Sequence, residues 1–169
     1  MVDSHCHLAG EEFAADLEAV VQRARDARLA YALVILAADD DAEIERATRV
    51  RDLWPDVRFC IGVHPHAAGT SPDTPRATAG LVENRIQLEP QARAIGEIGL
   101  DYHYDFAPRD VQQQVFREQI RLARRMNLPI VIHTREAEDD TFAILAEESA
   151  GEAGGVFHCF TGDRSMARC

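Results

Sequence analysis

Short apolar runs alternate with amphipathic segments along the chain, and histidines stand where several of these runs end. The alternation predicts six strand and helix units, the sixth of them unfinished. Because the carboxyl ends of parallel strands meet at one edge of a sheet, residues that follow the strands are expected to lie close together. Histidines and carboxylates are common metal ligands, so the pattern predicts an α/β fold with a metal site at one end of its strands. The residues concerned are His5, His7, His64, His66, Glu97, His133 and His158.

The predicted elements follow from apolar periodicity and from residues that begin or end helices. Strands are predicted over residues 1–7, 31–37, 58–63, 94–98, 128–132 and 155–158. Helices are predicted over residues 11–28, from about 39 to Pro55, around 77–88, over 108–126 and within 141–149, with a loop at 67–75. Pro108 suits the start of a helix, and Asn127 suits a helix C-cap.

Six such units are compatible with an open doubly wound sheet or with part of a closed (β/α)₈ barrel. In a doubly wound sheet, ligands gather at one switch point. In barrel enzymes, the functional groups sit at the ends of several different strands, and here they follow strands one, three, four, five and six. We therefore predict a TIM-type (β/α)₈ barrel, as a single domain over residues 1–169. A complete barrel typically needs about 250 residues, so the last strands are expected to be missing.

Composition and charge narrow the range of functions. The formal net charge of −11 argues against binding duplex nucleic acid through a broad basic surface, although metal ions and arginines can still hold a phosphate. All 18 basic residues are arginine, which excludes lysine Schiff-base chemistry and a carboxylated-lysine metal bridge. The chain shows neither a signal-peptide pattern nor an apolar run of membrane-spanning length. The four cysteines lack C-x-x-C spacing, and we expect reduced thiols in a cytoplasmic protein.

Each histidine can be interpreted either as a structural residue or as a functional one. His5 and His7 stand two residues apart on a strand, so their side chains share a face and suit one metal ion. His133 and His158, taken singly, are typical of hydrogen-bonded structural residues. Their recurrence at matching strand ends favours metal ligands.

The remaining histidines lie in loops. His64 and His66 flank Pro65, and this segment is equally consistent with a structured loop and with contact to a substrate or to the ligands. His103 lies in a polar and aromatic loop, and we interpret it as a surface residue.

Glu97 stands in an otherwise apolar run, where a carboxylate is costly to bury unless it is paired or bound to a metal. An ion pair with Arg135 is the alternative to a metal. Arg135 follows His133 by two residues and is placed to hold a phosphate oxygen with its planar guanidinium. Its own alternative is an ion pair with Glu136 or Glu138.

Five segments carry the most specific motifs: residues 2–8 (VDSHCHL), 62–65 (GVHP), 96–102 (GEIGLDY), 132–135 (IHTR) and 157–162 (FHCFTG). In content and order they resemble the TatD family, metal-dependent hydrolases of the amidohydrolase superfamily, many of which are described as deoxyribonucleases. The motifs span nearly the whole chain. The resemblance implies a TIM barrel with a two-metal centre at its mouth.

The resemblance also implies a role for each candidate residue. His5, His7 and Glu97 would hold one divalent ion, and Glu97, His133 and His158 would hold the other. A bridging glutamate agrees with a chain without lysine, because several other amidohydrolases use a carboxylated lysine there. The ions would be Mg²⁺, Mn²⁺, Zn²⁺ or Fe²⁺. The catalytic residues would be Glu97, Arg135 and His64, the last two as partners of a phosphate oxygen or of the attacking hydroxide, while Asp101 and Tyr102 would only orient the loop.

The chain departs from the family pattern at its C-terminal end. That pattern continues with further strands and a Glu-Thr-Asp-type segment, whose aspartate completes the first metal site. Asp163 lies close in sequence to His158 and is a poor substitute. A barrel without its last strands exposes two strand edges and apolar interior, so we expect poor stability or self-association.

Three functions remain open at this point. The expected one is a TatD-type deoxyribonuclease without a membrane partner, which hydrolyses phosphodiesters of DNA ends or single strands exonucleolytically. The second is hydrolysis of a small-molecule amide, ester or lactone, which a deep apolar pocket would favour. The third is a truncated, non-catalytic remnant, which the missing aspartate and strands favour, and we expect impaired activity of the 169-residue chain.

Overall fold

The fold is built on one six-stranded parallel sheet whose strands follow one another in sequence order. The computed structural model describes residues 1–70, 74–104 and 106–168, so part of the loop predicted at 67–75 and the thiol of Cys169 lie outside the described residues. The strands are β1 (Val2–Cys6), β2 (Tyr31–Ala37), β3 (Arg58–Gly62), β4 (Ala92–Asp101), β5 (Ile130–Arg135) and β6 (Gly155–Phe157). The helices are α1 (Leu17–Asp26), α2 (Asp41–Leu53), α3 (Pro75–Leu88), α4 (Arg109–Met126) and α5 (Glu138–Glu147).

The strand order confirms the predicted architecture. Each strand pairs in parallel with the next one in the chain, and the order never reverses across the sheet. A doubly wound sheet would instead place later strands on the far side of β1. The described part of the chain is therefore a partial TIM-type barrel of six strands and five helices.

The two faces of the sheet are packed differently. A large apolar cluster, which includes Phe59 and Phe116, fills the space between the sheet and the helices. A second, small cluster of Ile35, Cys60 and Val131 lies apart from it, together with Ala94 and Leu33. Alternate residues of a strand share a face, so His133 continues the face of Val131 toward the carboxyl end of β5. The candidate site therefore lies at the end of the smaller, inner cluster.

The first helix begins later than predicted. Instead of one helix over residues 11–28, a 3₁₀ turn covers Glu11–Phe13 and α1 begins at Leu17. Phe13 and Leu17 both contact the large cluster on either side of this break. The apolar spacing is compatible with a continuous helix and with a broken one, so the break cannot be predicted from the sequence.

Strands β4 and β5 extend beyond their predicted ends. The prediction stopped at Ile98 and Ile132, whereas pairing continues through Asp101 with Arg135. Gly99 and Asp101 in β4, and the polar residues 133–135 in β5, interrupt the apolar pattern and concealed this continuation. The helix predicted between these strands is confirmed, with Pro108 as its N-cap and Asn127 as a left-handed C-cap. None of the helices among the described residues is both long and apolar enough to cross a membrane.

Candidate metal centre

Side chains from five strand ends meet around Glu97. One carboxylate oxygen, Oε1, lies 2.9 Å from Nδ1 of His133 and 2.5 Å from Nε2 of His158. The other oxygen, Oε2, lies 3.3 Å from Nε2 of His5, which in turn lies 3.3 Å from Nε2 of His7. Glu97 is buried, with 7% of its side chain exposed. Its two oxygens therefore face two different pairs of histidines.

A bulge in β4 aims Glu97 at the inner face. Between the pairs Ile95 with Ile130 and Ile98 with Ile132, β4 advances three residues while β5 advances two. Ile95 and Ile98 consequently both face the large cluster, although strict alternation would put them on opposite faces. The extra residue leaves Glu97 on the opposite face from both. The peptide bond from Gly96 to Glu97, within this bulge, is cis.

The donor set suits divalent metal ions. His5, His7 and Glu97 offer ligand atoms that lie within 4.8 Å of one another, and so do His64, Glu97 and His133. Imidazole nitrogen and carboxylate oxygen are the usual ligands of Zn²⁺, Mn²⁺ and Fe²⁺. A carboxylate that offers one oxygen to each histidine pair has the connectivity of a bridging ligand. The residues present therefore fit a pair of divalent ions.

The site favours an ionised carboxylate. Burial alone would raise the pKa of Glu97, but hydrogen bonds with His133, His158 and His5 hold it well below its usual range. Burial alone would lower the pKa of His133, whereas hydrogen bonds with Glu97 and Asp101 raise it above the ordinary value. Metal ligands must lose their protons before binding, and Glu97 meets that condition across the physiological range.

His64 presents a hydrogen-bond donor to the centre. Its Nδ1 accepts the backbone N–H of His66 at 3.2 Å. Burial lowers the pKa of His64 to about 3, so the ring is neutral and its proton resides on Nε2. That Nε2 lies 3.7 Å from Oε1 of Glu97. The structure thus brings His64 to the site, where a contact to a substrate or to the ligands was one of the two interpretations from sequence. Its ring lies close enough to Glu97 and His133 to reach a metal, but with the proton on Nε2 it acts there as a hydrogen-bond donor.

Asp101 and His66 were given too small a part by the sequence. Oδ2 of Asp101 lies 3.1 Å from Nε2 of His133 and 2.8 Å from Nε2 of His66. Oδ1 accepts the backbone N–H groups of His103 and Tyr104, both at 3.0 Å, so Asp101 does orient the loop as predicted. Burial would raise the pKa of Asp101, but these hydrogen bonds lower it to about 2. The available signal was the position of Asp101, four residues after Glu97 on the same face of β4.

Arg135 stands at the rim of the site. Its guanidinium lies 4.8 Å from the centre of the Tyr104 ring. Within the described part of the chain, Arg135 forms none of the three ion pairs considered from sequence, with Glu97, Glu136 or Glu138. Glu136 pairs instead with His103, which is exposed as predicted. Among the described residues, the cation of Arg135 therefore has the Tyr104 ring as its neighbour and no carboxylate in an ion pair.

Asp163 lies outside the group. Its Oδ1 accepts the backbone N–H groups of Ser165 and Met166, at 2.7 and 2.9 Å. These bonds hold a turn after β6 at an exposed position. The geometry agrees with the expectation that Asp163 is a poor substitute for a metal ligand.

Two buried glutamines of α4 fix the strand ends that carry the site. Gln119 accepts the backbone N–H of Val63 at 2.8 Å and donates to its carbonyl at 3.0 Å. Gln112 makes the same pair of bonds to Asp101, at 2.9 and 3.0 Å. Helix α4 is thereby tied to Val63, which precedes His64, and to Asp101, the last residue of β4. Sequence reasoning missed both glutamines, since a polar residue on a helix ordinarily indicates a solvated face.

Replacing Gln119 by methionine is expected to lower the free energy of unfolding by about 2–6 kcal/mol, because two buried backbone groups lose their partners at about 1–3 kcal/mol each. Urea unfolding followed by circular dichroism measures the change. Gln114→Met, at an exposed position of the same helix, is the matched control and should remain within about 0.5 kcal/mol of the parent chain. Equal stability of the two variants would contradict the role of Gln119.

Comparison with known proteins agrees with this geometry. The family model described as TatD related DNase matches residues 2–169. The uncharacterized metal-dependent hydrolase YabD of Bacillus subtilis is 39% identical over 168 residues, which cover 99% of this chain and 64% of the relative. The 3'-5' ssDNA/RNA exonuclease TatD of Pantoea sp. is 38% identical, over 97% of this chain and 61% of the relative. The crystal structure of YJJV, a TatD homologue from Escherichia coli K12, matches with a TM-score of 0.85 at 27% identity, over 99% of this chain and 63% of that one.

The chain spans a little over three fifths of the length of these relatives. Within that span, the match includes all six strands and every residue that the structure brings together around Glu97. The resemblance noted in the sequence motifs is confirmed, and the chain belongs to the TatD family.

Proposed function

We propose that the protein is a metal-dependent phosphodiesterase that hydrolyses DNA, exonucleolytically, at ends or in single strands. The observation that carries the proposal is the position of Glu97, with one oxygen toward His5 and the other toward His133 and His158. In this proposal His5, His7 and Glu97 would hold one divalent ion, and Glu97, His133 and His158 would hold the second. Mg²⁺, Mn²⁺ and Zn²⁺ are the candidate ions. Relatives named as a metal-dependent hydrolase and an ssDNA/RNA exonuclease support this assignment.

The bound ions would activate a water molecule near neutral pH and stabilise charge on the reacting oxygens. The chain's own residues supply the rest. Nε2 of His64 donates a hydrogen bond to a phosphate oxygen or to the attacking water, since its proton is held there by the contact at Nδ1. Arg135 holds a second phosphate oxygen with its planar guanidinium. Glu97 remains ionised and is in position to bind both ions.

Asp101 acts through His133 in this proposal. When Nε2–H of His133 donates to Asp101, Nδ1 keeps its lone pair for the metal side. Replacing Asp101 by asparagine is therefore expected to weaken metal binding about 10- to 100-fold. Isothermal titration with Mn²⁺ measures this independently of activity. Asp139→Asn, at an exposed position of α5, is the matched control, and equal affinities of the two variants would contradict the positioning role.

The surroundings of the centre favour a polynucleotide over a small amide, ester or lactone. A small apolar substrate calls for a deep apolar pocket. The side chains at the rim are instead an exposed arginine, Arg135, and two exposed aromatic residues, Tyr104 and Phe106. Such groups suit phosphates and bases of an extended strand.

The test is metal-dependent cleavage of a short, end-labelled single-stranded DNA by the purified chain. We expect shortening from one end with added Mg²⁺, Mn²⁺ or Zn²⁺, and none in the presence of a chelator. Elemental analysis of the protein reports the ions bound in the same samples. Folded protein that holds its metal and leaves the strand intact would contradict the proposal.

The remaining expectations from sequence stay proposals. We propose a single domain over residues 1–169, a cytoplasmic location and self-association through the outer strands. Val2 in β1 and Val156 in β6 are 61% and 48% exposed, which supports contact at these edges. Light scattering over a range of protein concentrations tests the self-association.

The proposed cytoplasmic location agrees with the state of the cysteines. Cys6, Cys60 and Cys159 are free thiols, as a reducing compartment requires.

A further inference from the structure

Two aromatic side chains project from the loop after β4 beside the metal centre. Tyr104 is 41% exposed and Phe106 is 62% exposed. Their rings stack, with centroids 5.4 Å apart and planes inclined by 26°. Both rings also contact the edge of His66, at 5.4 and 4.8 Å between centroids. We call Tyr104 and Phe106 the aromatic rim.

The aromatic rim is held in a fixed relation to the centre. The carboxylate of Asp101 accepts the backbone N–H of Tyr104 and also contacts His66 and His133. One side chain thus anchors both the loop and a candidate metal ligand. The guanidinium of Arg135 lies over the Tyr104 ring, 4.8 Å from its centre, and adds a cation–π contact.

Exposure alone does not distinguish the aromatic rim, because Tyr31, at the opposite end of the sheet, is 49% exposed. The rim is distinguished by two stacked rings, 41% and 62% exposed, that lie next to a proposed phosphate-binding arginine. Flat aromatic surfaces beside a phosphate site are what proteins use to stack the bases of single-stranded nucleic acid.

We propose that the aromatic rim stacks a nucleobase of the strand whose phosphodiester lies at the metal centre, and that it thereby selects unpaired nucleotides. This inference rests on the proposed function. Bases of a duplex are already stacked and paired, so only an unpaired base can meet the rim without a cost in unstacking.

The negative net charge of the chain makes local contacts, such as stacking on the aromatic rim, important for binding nucleic acid. With a net charge of −11, the protein offers little general attraction to a polyanion. Binding must then come from local contacts: the ions, Arg135 and stacking. Stacking of one base on an aromatic side chain contributes about 1–3 kcal/mol, which is about 5- to 150-fold in affinity.

The test compares two oligonucleotides of equal length and charge, one natural and one in which every base is absent. Both strands carry phosphorothioate linkages, which resist cleavage, so that binding to the full, metal-loaded chain can be measured by fluorescence anisotropy. We expect Phe106→Ala and Tyr104→Ala to weaken binding of the natural strand about 5- to 150-fold. Phe106→Ala, which leaves the contact between Tyr104 and Arg135 in place, should not change binding of the abasic strand. Phe106→Trp should retain binding. Tyr31→Ala, at a 49% exposed tyrosine that begins β2 at the opposite end of the sheet, is the matched control.

Two results would overturn the inference: natural-strand affinities of the alanine variants equal to that of the parent chain, or equal losses of Phe106→Ala on the natural and abasic strands. Circular dichroism of each variant shows that it is folded, which exposed positions favour. Metal-dependent cleavage separates this inference from the proposed function. If the parent chain cleaves DNA and the alanine variants bind and cleave as well as the parent does, the stacking inference is wrong and the proposed function stands. If the parent chain cleaves no strand, the proposed function is wrong and the stacking inference falls with it.

Discussion

Glu97→Gln is expected to lower metal-dependent cleavage of a single-stranded DNA by about 10³-fold or more. Glutamine keeps the size of the side chain but removes the negative charge that both histidine groups face. Because both ions share a bridging ligand, its loss weakens the binding of both. Together the ions stabilise charge on the reacting oxygens by several kcal/mol. Cleavage rates and bound metal per chain are measured on the same preparation, and we expect both to fall.

Glu45→Gln supplies the matched control, because this glutamate of α2 is exposed and, among the described residues, forms no hydrogen bond or ion pair with those around Glu97. It should cleave DNA and bind metal like the parent chain. If Glu97→Gln kept its full complement of ions, the bridging role would be wrong. If it lost the ions yet cleaved at the parent rate, the proposed chemistry would be wrong instead.

The sequence predicted the elements and the central residues of the site for a physical reason. In a parallel barrel every strand delivers its last residues to the same edge, so His133 and Glu97 meet whatever the details of the loops. The strand periodicity that identifies β4 and β5 is local and therefore visible in one sequence. Their pairing partner follows from chain order, because each strand lies beside the next.

The parts that escaped prediction depend on contacts between distant residues. His66 reaches Asp101 only because a 3₁₀ turn at Pro65–Ala67 folds it back, and that contact joins positions 35 residues apart. Gln119 is buried because its amide matches both backbone groups of Val63, 56 residues away. The pattern of apolar residues along the chain does not predict such hydrogen bonds between distant residues. The bulge before Ile98 is likewise a property of two paired strands and has no pattern in β4 alone.

Gly99→Ala is expected to be the most damaging single change to the fold around the site. Gly99 pairs with His133 across β4 and β5 and has φ = +145°, a conformation that L side chains rarely adopt. A Cβ at this position would lie 1.9 Å from the carbonyl oxygen of His133, well inside van der Waals contact. Alanine must therefore push the two strands apart or rotate the backbone of β4.

Backbone strain and overpacking each cost about 1–3 kcal/mol, so we expect Gly99→Ala to lose about 3 kcal/mol or more and its urea midpoint to fall by about 1 M or more. Gly80→Ala is the matched control, since Gly80 is exposed inside α3 and an added Cβ would meet no atom within 4 Å. That change should be neutral or stabilise the protein by up to about 1 kcal/mol. Because the strands that Gly99 holds together set the 2.9 Å approach of Glu97 to His133, the folded fraction of Gly99→Ala should also bind Mn²⁺ more weakly. A midpoint and a metal affinity equal to those of Gly80→Ala would contradict the view that this close strand contact builds the site.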